Sequence, residues 1–454
     1  MALETVNPAT GKLVKRFEEW TLEKTLMELE KTARAWPTWA NRSFPERAAV
    51  LFRTAEVLRQ KKEQLAQIMT LEMGKPVAEG RAETEKCAWV CDYYAENGEK
   101  FLALETIESD ASRSYVAFRP LGTILAIMPW NFPLWQVFRF AAPALMAGNA
   151  CVLKHSSNVP QCALAIQNIF EEGGLPNCLF TTLMIGSGKV DEVIASPYVQ
   201  AISLTGSDHA GREVAATAGK RLKKTVLELG GSDPFIVLDD ADLEEAAKVA
   251  AQARCINSGQ SCIAAKRFVV VEEVYDLFLE HFKKEMEKLP LGDPCLESTR
   301  IGPLARQDLV DELHEQVRTS VEHGARVLLG GQPLEGEGFY YPATILVDVE
   351  EGMPAYDQET FGPVATVIKA KDARQAISIA NSVPFGLGAS LWTKDLDRAE
   401  EYAASLQCGA VFFNGLVKSD PRLPFGGVKL SGYGRELSHY GIREFVNIQT
   451  VWQK

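Results

Sequence analysis

No stretch of this chain approaches the roughly 20 consecutive apolar residues needed to cross a bilayer. The start, Met1-Ala2-Leu3-Glu4-Thr5, has no basic region followed by an apolar run, so no targeting leader is expected. Positive charge is the minority sign: 48 Lys and Arg stand against 60 Asp and Glu, a net charge of −12. That balance disfavours non-specific nucleic-acid binding and an anionic membrane surface. It also means that an acidic substrate needs its own local cation. The nine cysteines form no Cys-x-x-Cys pair and no cluster with the six histidines. Neither a disulfide framework nor a zinc site is indicated, and no metal is expected. Isolated histidines also weigh against a cysteine hydrolase. There is no G-x-G-x-x-G fingerprint, no NTPase phosphate loop, no low-complexity linker and no fixed-period repeat. A reducing cytoplasm is the expected compartment.

What remains is an ordinary globular composition, 46% apolar and 24% charged, over 454 residues. Such a length predicts about two or three domains. Asn7 to Gly11 reads as a turn between short strands, and helical patterns run from there to about Leu104. Ser43-Phe44-Pro45-Glu46 has the form of a capping box with proline in the first turn. From Thr123 the pattern alternates: strand Thr123 to Ile127, helix Leu134 to Met146, strand Ala150 to Lys154, helix Ala163 to Phe170, strand Ala201 to Leu204, then Val226-Leu227. The same grammar restarts at Phe235 to Leu238 and a helix capped by Asp242. It continues through Phe268 to Val271, Val327 to Leu329, Val364 to Ile368 and Ala410 to Phe413. Strands alternating with crossover helices predict parallel sheets, and a functional crevice at their carboxyl ends. The expected boundary between two α/β halves falls near Gly230-Gly231.

Two short segments carry chemistry. Asn257-Ser258-Gly259-Gln260-Ser261-Cys262 places a thiol in a small polar loop, where a buried structural cysteine is out of character. Glu228-Leu229-Gly230-Gly231 ends an apolar strand with a carboxylate. A nucleophile that becomes acylated needs a base to activate the water that releases it, and this pair supplies both functions. Asn131 sits between prolines in Met128-Pro129-Trp130-Asn131-Phe132-Pro133. An amide held there can donate to an oxyanion, or can simply cap the following helix. Thr205-Gly206-Ser207 follows a strand; it is either a pyrophosphate site at a helix start or a plain helix cap.

These motifs, from Asn7-Pro8-Ala9-Thr10-Gly11 to Phe425-Gly426-Gly427-Val428-Lys429, resemble the aldehyde dehydrogenases over nearly the whole chain. The resemblance implies two Rossmann-like α/β domains plus a small β oligomerisation element. It divides the chain into a cofactor-binding domain (1–108 and 123–229), a catalytic domain (230–430) and an oligomerisation element (109–122 and 431–454). It makes Cys262 the nucleophile, Glu228 the general base and Asn131 an oxyanion donor. It implies a cofactor held by Trp130, Lys154, Ser157, Gly206, Ser207, Leu229, Glu359 and Phe361. Many NAD-preferring members carry glutamate where this chain has Ser157. A serine beside Lys154 favours a 2′-phosphate, so NADP is the expected cofactor, with NAD weaker.

The sequence is most similar to succinate-semialdehyde dehydrogenases, which implies Trp135, Arg139, Ser261 and Ser419 as substrate residues. Trp135 and Arg139, four apart, share one helix face. On spacing alone Arg139 reads equally as a substrate cation or as half of a structural ion pair. Some of those enzymes carry a second arginine six residues before the cysteine, where Ile256 stands here. Other aldehydes, a coenzyme-A-acylating reaction, or a binding protein that kept the fold are the competing readings. The alternating tail Phe445 to Trp452 reads as a strand seeking a partner, so a homodimer or homotetramer is expected.

Overall fold

A computed structural model of the protein describes residues 3–454. Two open sheets dominate it. The first has six strands in the order Gly432–Tyr433, Lys224–Glu228, Val199–Thr205, Thr123–Met128, Ala150–His155, Phe180–Thr182. All neighbours in it are parallel except the first pair. The second has seven strands: Arg326–Leu329, Thr344–Val347, Val364–Ala370, Arg267–Val271, Pro234–Val237, Gly388–Trp392, Ala410–Phe413. Here too only the first pair is antiparallel. Helices cover both faces of these sheets, which is why the strands read as continuous apolar runs rather than alternating ones.

Expected strands and helices appear within a few residues of their places. The capping box at Ser43 forms, with Glu46 accepting from the Ser43 backbone N–H at 2.8 Å. Asp242 caps Leu243–Cys255 by accepting from Glu245 N–H at 3.2 Å. Two core strands, Thr344–Val347 and Gly388–Trp392, carried no usable sequence signal. Each is only four or five residues long. The second begins at a glycine whose missing Cβ lets Asp233 approach; a methyl there would stand 2.8 Å from a carboxylate oxygen.

The C-terminal segment has two attachments. Val446–Gln453 pairs antiparallel with Arg113–Pro120 along its full length, and Glu105–Thr106 lies on the other side. The stretch near residue 115 is thus the middle strand of a three-stranded sheet. Gly432–Tyr433, which the sequence reading groups with that element, instead adds an edge strand to the first sheet, with Gly432 opposite Glu228. Among the described residues no helix is long and apolar enough to cross a membrane.

Candidate active site

The loop ending at Cys262 is shaped by backbone strain. Asn257, Ser258 and Gly259 take left-handed conformations in succession, with φ of 53°, 57° and 76°. Asparagine and glycine tolerate that region; serine does so only when its surroundings hold it there. Ser258 Oγ accepts from Gly302 N–H at 2.9 Å, and Asn257 N–H donates to Glu79 at 2.7 Å. Any side chain on Gly259 would collide with the Gly362 backbone, so the loop packs directly on the Glu359–Pro363 segment. The turn then delivers Cys262 to the wall between two cavities.

The larger cavity, about 530 Å³, is lined by Trp130, Asn131, Thr205, Gly206, Ser207, Leu229, Glu359 and Phe361, with Cys262 in its wall. It opens at the carboxyl ends of Val199–Thr205 and Lys224–Glu228, the usual crevice of a parallel sheet. Ser207 caps Asp208–Gly219, accepting from Ala210 N–H at 3.2 Å. The remaining free N–H groups of that helix start face an entrance suited to phosphate. Absent side chains make the space. A Cβ on Gly230 would strike Glu359, and one on Gly211 would stand 2.6 Å from Leu229. Glu359 is tied down by Gly231 N–H at 3.1 Å and by Lys266 at 3.3 Å, leaving acceptor capacity for hydroxyls. Trp130 and Phe361 meet edge to face at 5.8 Å. Size, sugar-binding acceptor, aromatic wall and helix start together fit a dinucleotide.

Lys154 and Ser157 follow from the next strands along and do not line this cavity. Ser157 borders a separate space of about 220 Å³ with Asn158, Arg306 and Gln307. It does not cap the following helix; Val159 occupies that position. Burial pushes the Lys154 ammonium below its ordinary range.

The second cavity, about 400 Å³, has a mostly apolar lining that includes Phe132, Trp135, Ile256, Ile263 and Phe425. Cys262, Ser261 and Ser419 line it as well. Ser261 Oγ is buried without a partner. Gln136 and Cys262 are the residues that line both cavities.

Asn131 is immobilised in the larger cavity. Its Nδ2 donates to Gln260 O at 3.0 Å, its Oδ1 accepts from Gln136 at 3.1 Å, and its carbonyl accepts from Asn257 at 2.7 Å. One amide hydrogen is left over for a developing oxyanion. Asn131 does not cap Trp135–Met146. Glu83 does so from another helix, accepting from Leu134 and Trp135 N–H at 2.9 Å each.

Glu228 lines neither cavity. Its carboxylate is fully enclosed, both oxygens unpartnered, beside Gly426, where a Cβ would lie 2.7 Å from Oε1. Burial pushes its pKa well up and nearby Glu436 adds to this; Arg139 and Arg435 oppose it. Burial likewise pushes the Cys262 thiol up to about 12, with Lys266 and Arg139 pulling it down. That shift favours the protonated thiol over the thiolate at Cys262.

Of its two sequence readings, Arg139 shows the structural ion pair while also lining the second cavity. Its guanidinium is ion-paired with Glu436, both side chains buried, and lies over the Phe425 ring. Burying an arginine and a glutamate apart from each other is prohibitive, so each commits to the other. Arg139 still forms part of the second cavity's wall.

Sequence reasoning missed Glu436, Lys266 and Lys86. Lys266 is buried and donates to the carbonyls of Ser261 and Cys262 at 2.8 and 2.6 Å, clamping the nucleophile's backbone. Its one local signal is its position four residues after Cys262. Glu436 lies over 200 residues from its neighbours Ser203 and Glu228, beyond the reach of any local pattern.

A thiol in the wall between a dinucleotide-shaped crevice and a mostly apolar cavity, at the ends of parallel strands, fits a cofactor-dependent oxidoreductase. The chain belongs to the aldehyde dehydrogenase family, which it matches over residues 1–451. It is 50% identical to a "probable succinate-semialdehyde dehydrogenase [NADP(+)]" of Synechocystis sp., over all of both chains. It is 48% identical, again over all of both, to succinate-semialdehyde dehydrogenase [NADP(+)] 1 of Mycobacterium tuberculosis. Its fold matches the succinic semialdehyde dehydrogenase of Streptococcus pyogenes, solved with NADP+, with a TM-score of 0.97 at 37% identity over 99% of each chain.

Proposed function

We propose that this enzyme oxidises succinate semialdehyde to succinate with NADP. One observation carries this reading: Cys262 faces both cavities at once. An aldehyde in the apolar cavity and a dinucleotide in the crevice would then meet at one sulfur. The relatives support the substrate and the cofactor. Cofactor binding is assigned to residues 1–108 and 123–229, and catalysis to 230–430.

Cys262 Sγ bonds to the aldehyde carbon as the thiol proton passes to solvent water, and the spare N–H of Asn131 hydrogen-bonds to the oxygen that becomes negative. NADP, which Trp130, Gly206, Ser207, Leu229, Glu359 and Phe361 would hold in the crevice, would supply the hydride acceptor that turns the hemithioacetal into a thioester. Glu228, once deprotonated, takes a proton from water; the water oxygen bonds to the thioester carbon and the thiolate departs. Glu228 lies outside both cavities against Gly426, where only glycine lets the carboxylate sit, so it must swing out of that position to reach the water. Its raised pKa suits a base, and turnover should rise with pH as it ionises.

The test is a kinetic panel of short aldehydes, with and without a terminal carboxylate, against NADP and NAD and with and without coenzyme A. Preference for succinate semialdehyde and NADP, indifferent to coenzyme A, is expected. A preference for neutral aldehydes, or dependence on coenzyme A, would reject the reading. Ser157→Glu is expected to lower kcat/KM for NADP by about tenfold or more, about 1.4 kcal/mol, and to leave NAD less affected. Equal losses with both cofactors would remove Ser157 from 2′-phosphate recognition.

We also propose self-association through the C-terminal strand. Val446–Gln453 is an edge strand whose Ile448 and Trp452 are exposed, at 63% and 51%. Long edges of that kind invite pairing. Light scattering showing a stable monomer would dismiss this.

A further inference from the structure

Arg139 is already paired with Glu436, which raises the question of what else meets the substrate's carboxylate in the second cavity. On the long helix Val77–Phe101, residues Glu79, Ala82, Glu83 and Lys86 recur every three or four positions and form one wall of that cavity. The acids on this face are engaged. Glu83 pairs with buried Lys75 at 2.6 Å, and Glu79 accepts from Asn257 N–H. Lys86 has no carboxylate within ion-pair distance among the described residues. Its ammonium lies 4.3 Å above the Trp135 ring and donates to Ser419 Oγ at 2.8 Å.

Trp135 Nε1 also donates to Ser419 Oγ, at 3.1 Å. A hydroxyl oxygen has two acceptor sites and one proton. With both sites occupied by Lys86 and Trp135, the Ser419 proton is free to be donated. Lys86 keeps two further N–H bonds. The three side chains therefore present a preassembled set of donors with a positive charge, and the matching acceptor is an anion.

We propose that Lys86, with Ser419 oriented by Trp135, is the cation that recognises the carboxylate end of the aldehyde substrate. This assignment rests on the succinate-semialdehyde reading and deepens it. Cys262, Lys86 and Ser419 all line this one cavity, so an aldehyde held there can meet the thiol and the cation together. The departure at Ile256, where some related enzymes carry arginine, is then offset by a lysine on a different helix.

The charge environment supports a pH signature. Burial pushes the Lys86 ammonium down to about 8, and Arg139 pushes it the same way; Cys87, Glu83 and Asp420 pull it back up. Glu79, Arg300, Lys418 and Cys262 also border the cavity. Lys86 binds an anion only when protonated, so recognition should be lost as pH climbs past about 8 and retained below it.

The experiment measures kcat/KM for succinate semialdehyde and for butanal, which lacks the carboxylate, from pH 6.5 to 9.5. Wild type, Lys86→Met and Lys86→Arg are compared, with melting temperatures recorded. The ratio of the two values cancels titrations of Cys262 and Glu228, which act on both aldehydes. In wild type the ratio is expected to be high at pH 7 and to decline above about pH 8. Lys86→Met should lower it by about tenfold or more at pH 7, the worth of a charge-assisted hydrogen bond, and flatten its pH dependence. Lys86→Arg should restore part of it. A ratio in Lys86→Met within about threefold of wild type, or an unchanged pH profile, overturns the assignment of Lys86 while the substrate reading stands. A wild-type ratio near one overturns both. If Lys86→Met does not fold, the wild-type profile and Lys86→Arg decide alone.

Discussion

Cys262→Ala is expected to lower aldehyde oxidation by about 10⁴-fold or more, because no other group can form the thioester. Cys255 is excluded by place, because it borders only the apolar cavity and does not reach the cofactor crevice. The variant should keep its fold, since a half-buried cysteine in a loop held by Ser258, Asn257 and Lys266 contributes little packing of its own. Cofactor binding, followed by fluorescence quenching, is expected to survive. In the free enzyme burial pushes the Cys262 thiol up to about 12. Alkylation by iodoacetamide should therefore be slow at pH 7 and climb about tenfold per pH unit up to pH 9, as the thiolate fraction grows. Retained turnover in Cys262→Ala would end the covalent reading. Rapid alkylation at pH 6 would show that the resting thiol is already ionised.

Glu228→Gln divides the reaction. Steady-state turnover is expected to drop by about 10²–10⁴-fold, the span of a lost general base. The first turnover should still release about one equivalent of reduced cofactor per site, because acylation and hydride transfer precede the water step. A stopped-flow trace with no burst would place Glu228 before the thioester instead. The same substitution bears on stability. Glu228 is buried with unpartnered oxygens, near Glu436. Its folded pKa lies above its unfolded one, so the folded state holds the extra proton. Stability from this group is present at low pH. It falls as pH rises from the ordinary carboxyl range through the raised value. Glutamine carries no such charge, so Glu228→Gln should melt at or above wild type at pH 8, with a smaller advantage at pH 5. An active-site group that costs stability is the usual trade.

The Lys86 assignment and the Glu228 prediction meet at Arg139. The Arg139–Glu436 pair lies between the cavity wall and the enclosed base: Arg139 pulls both buried carboxyl groups down, while Glu436 pushes Glu228 up. Arg139 therefore tunes the base electrostatically. The sequence alone left its role open between substrate cation and ion pair, because the deciding partner is 297 residues away in the chain.

Much of the site was legible because its chemistry is local. Cys262 announces itself through Asn257-Ser258-Gly259, residues chosen for left-handed backbone. Glu228 stands out as a carboxylate ending an apolar strand, and Ser207 as a cap after another. What was missed is charge whose meaning depends on neighbours. Lys86 reads as an ordinary helical lysine until Ser419 arrives from 333 residues away. Glu83 reads as a solvated acid until it caps a helix that starts more than 50 residues later.

By itself the sequence determined the alternation of strand and helix, hence the parallel sheets, and it singled out Cys262 and Glu228 as the candidates for nucleophile and base. Period and turn chemistry are properties of neighbouring residues and need no fold to be read. Only the tertiary structure decided which cations are already paired and which remain free, that Cys262 lies between two cavities, and that Glu228 waits outside both. Electrostatic energy depends on distance in space and on desolvation, and neither is written in the order of residues along a chain.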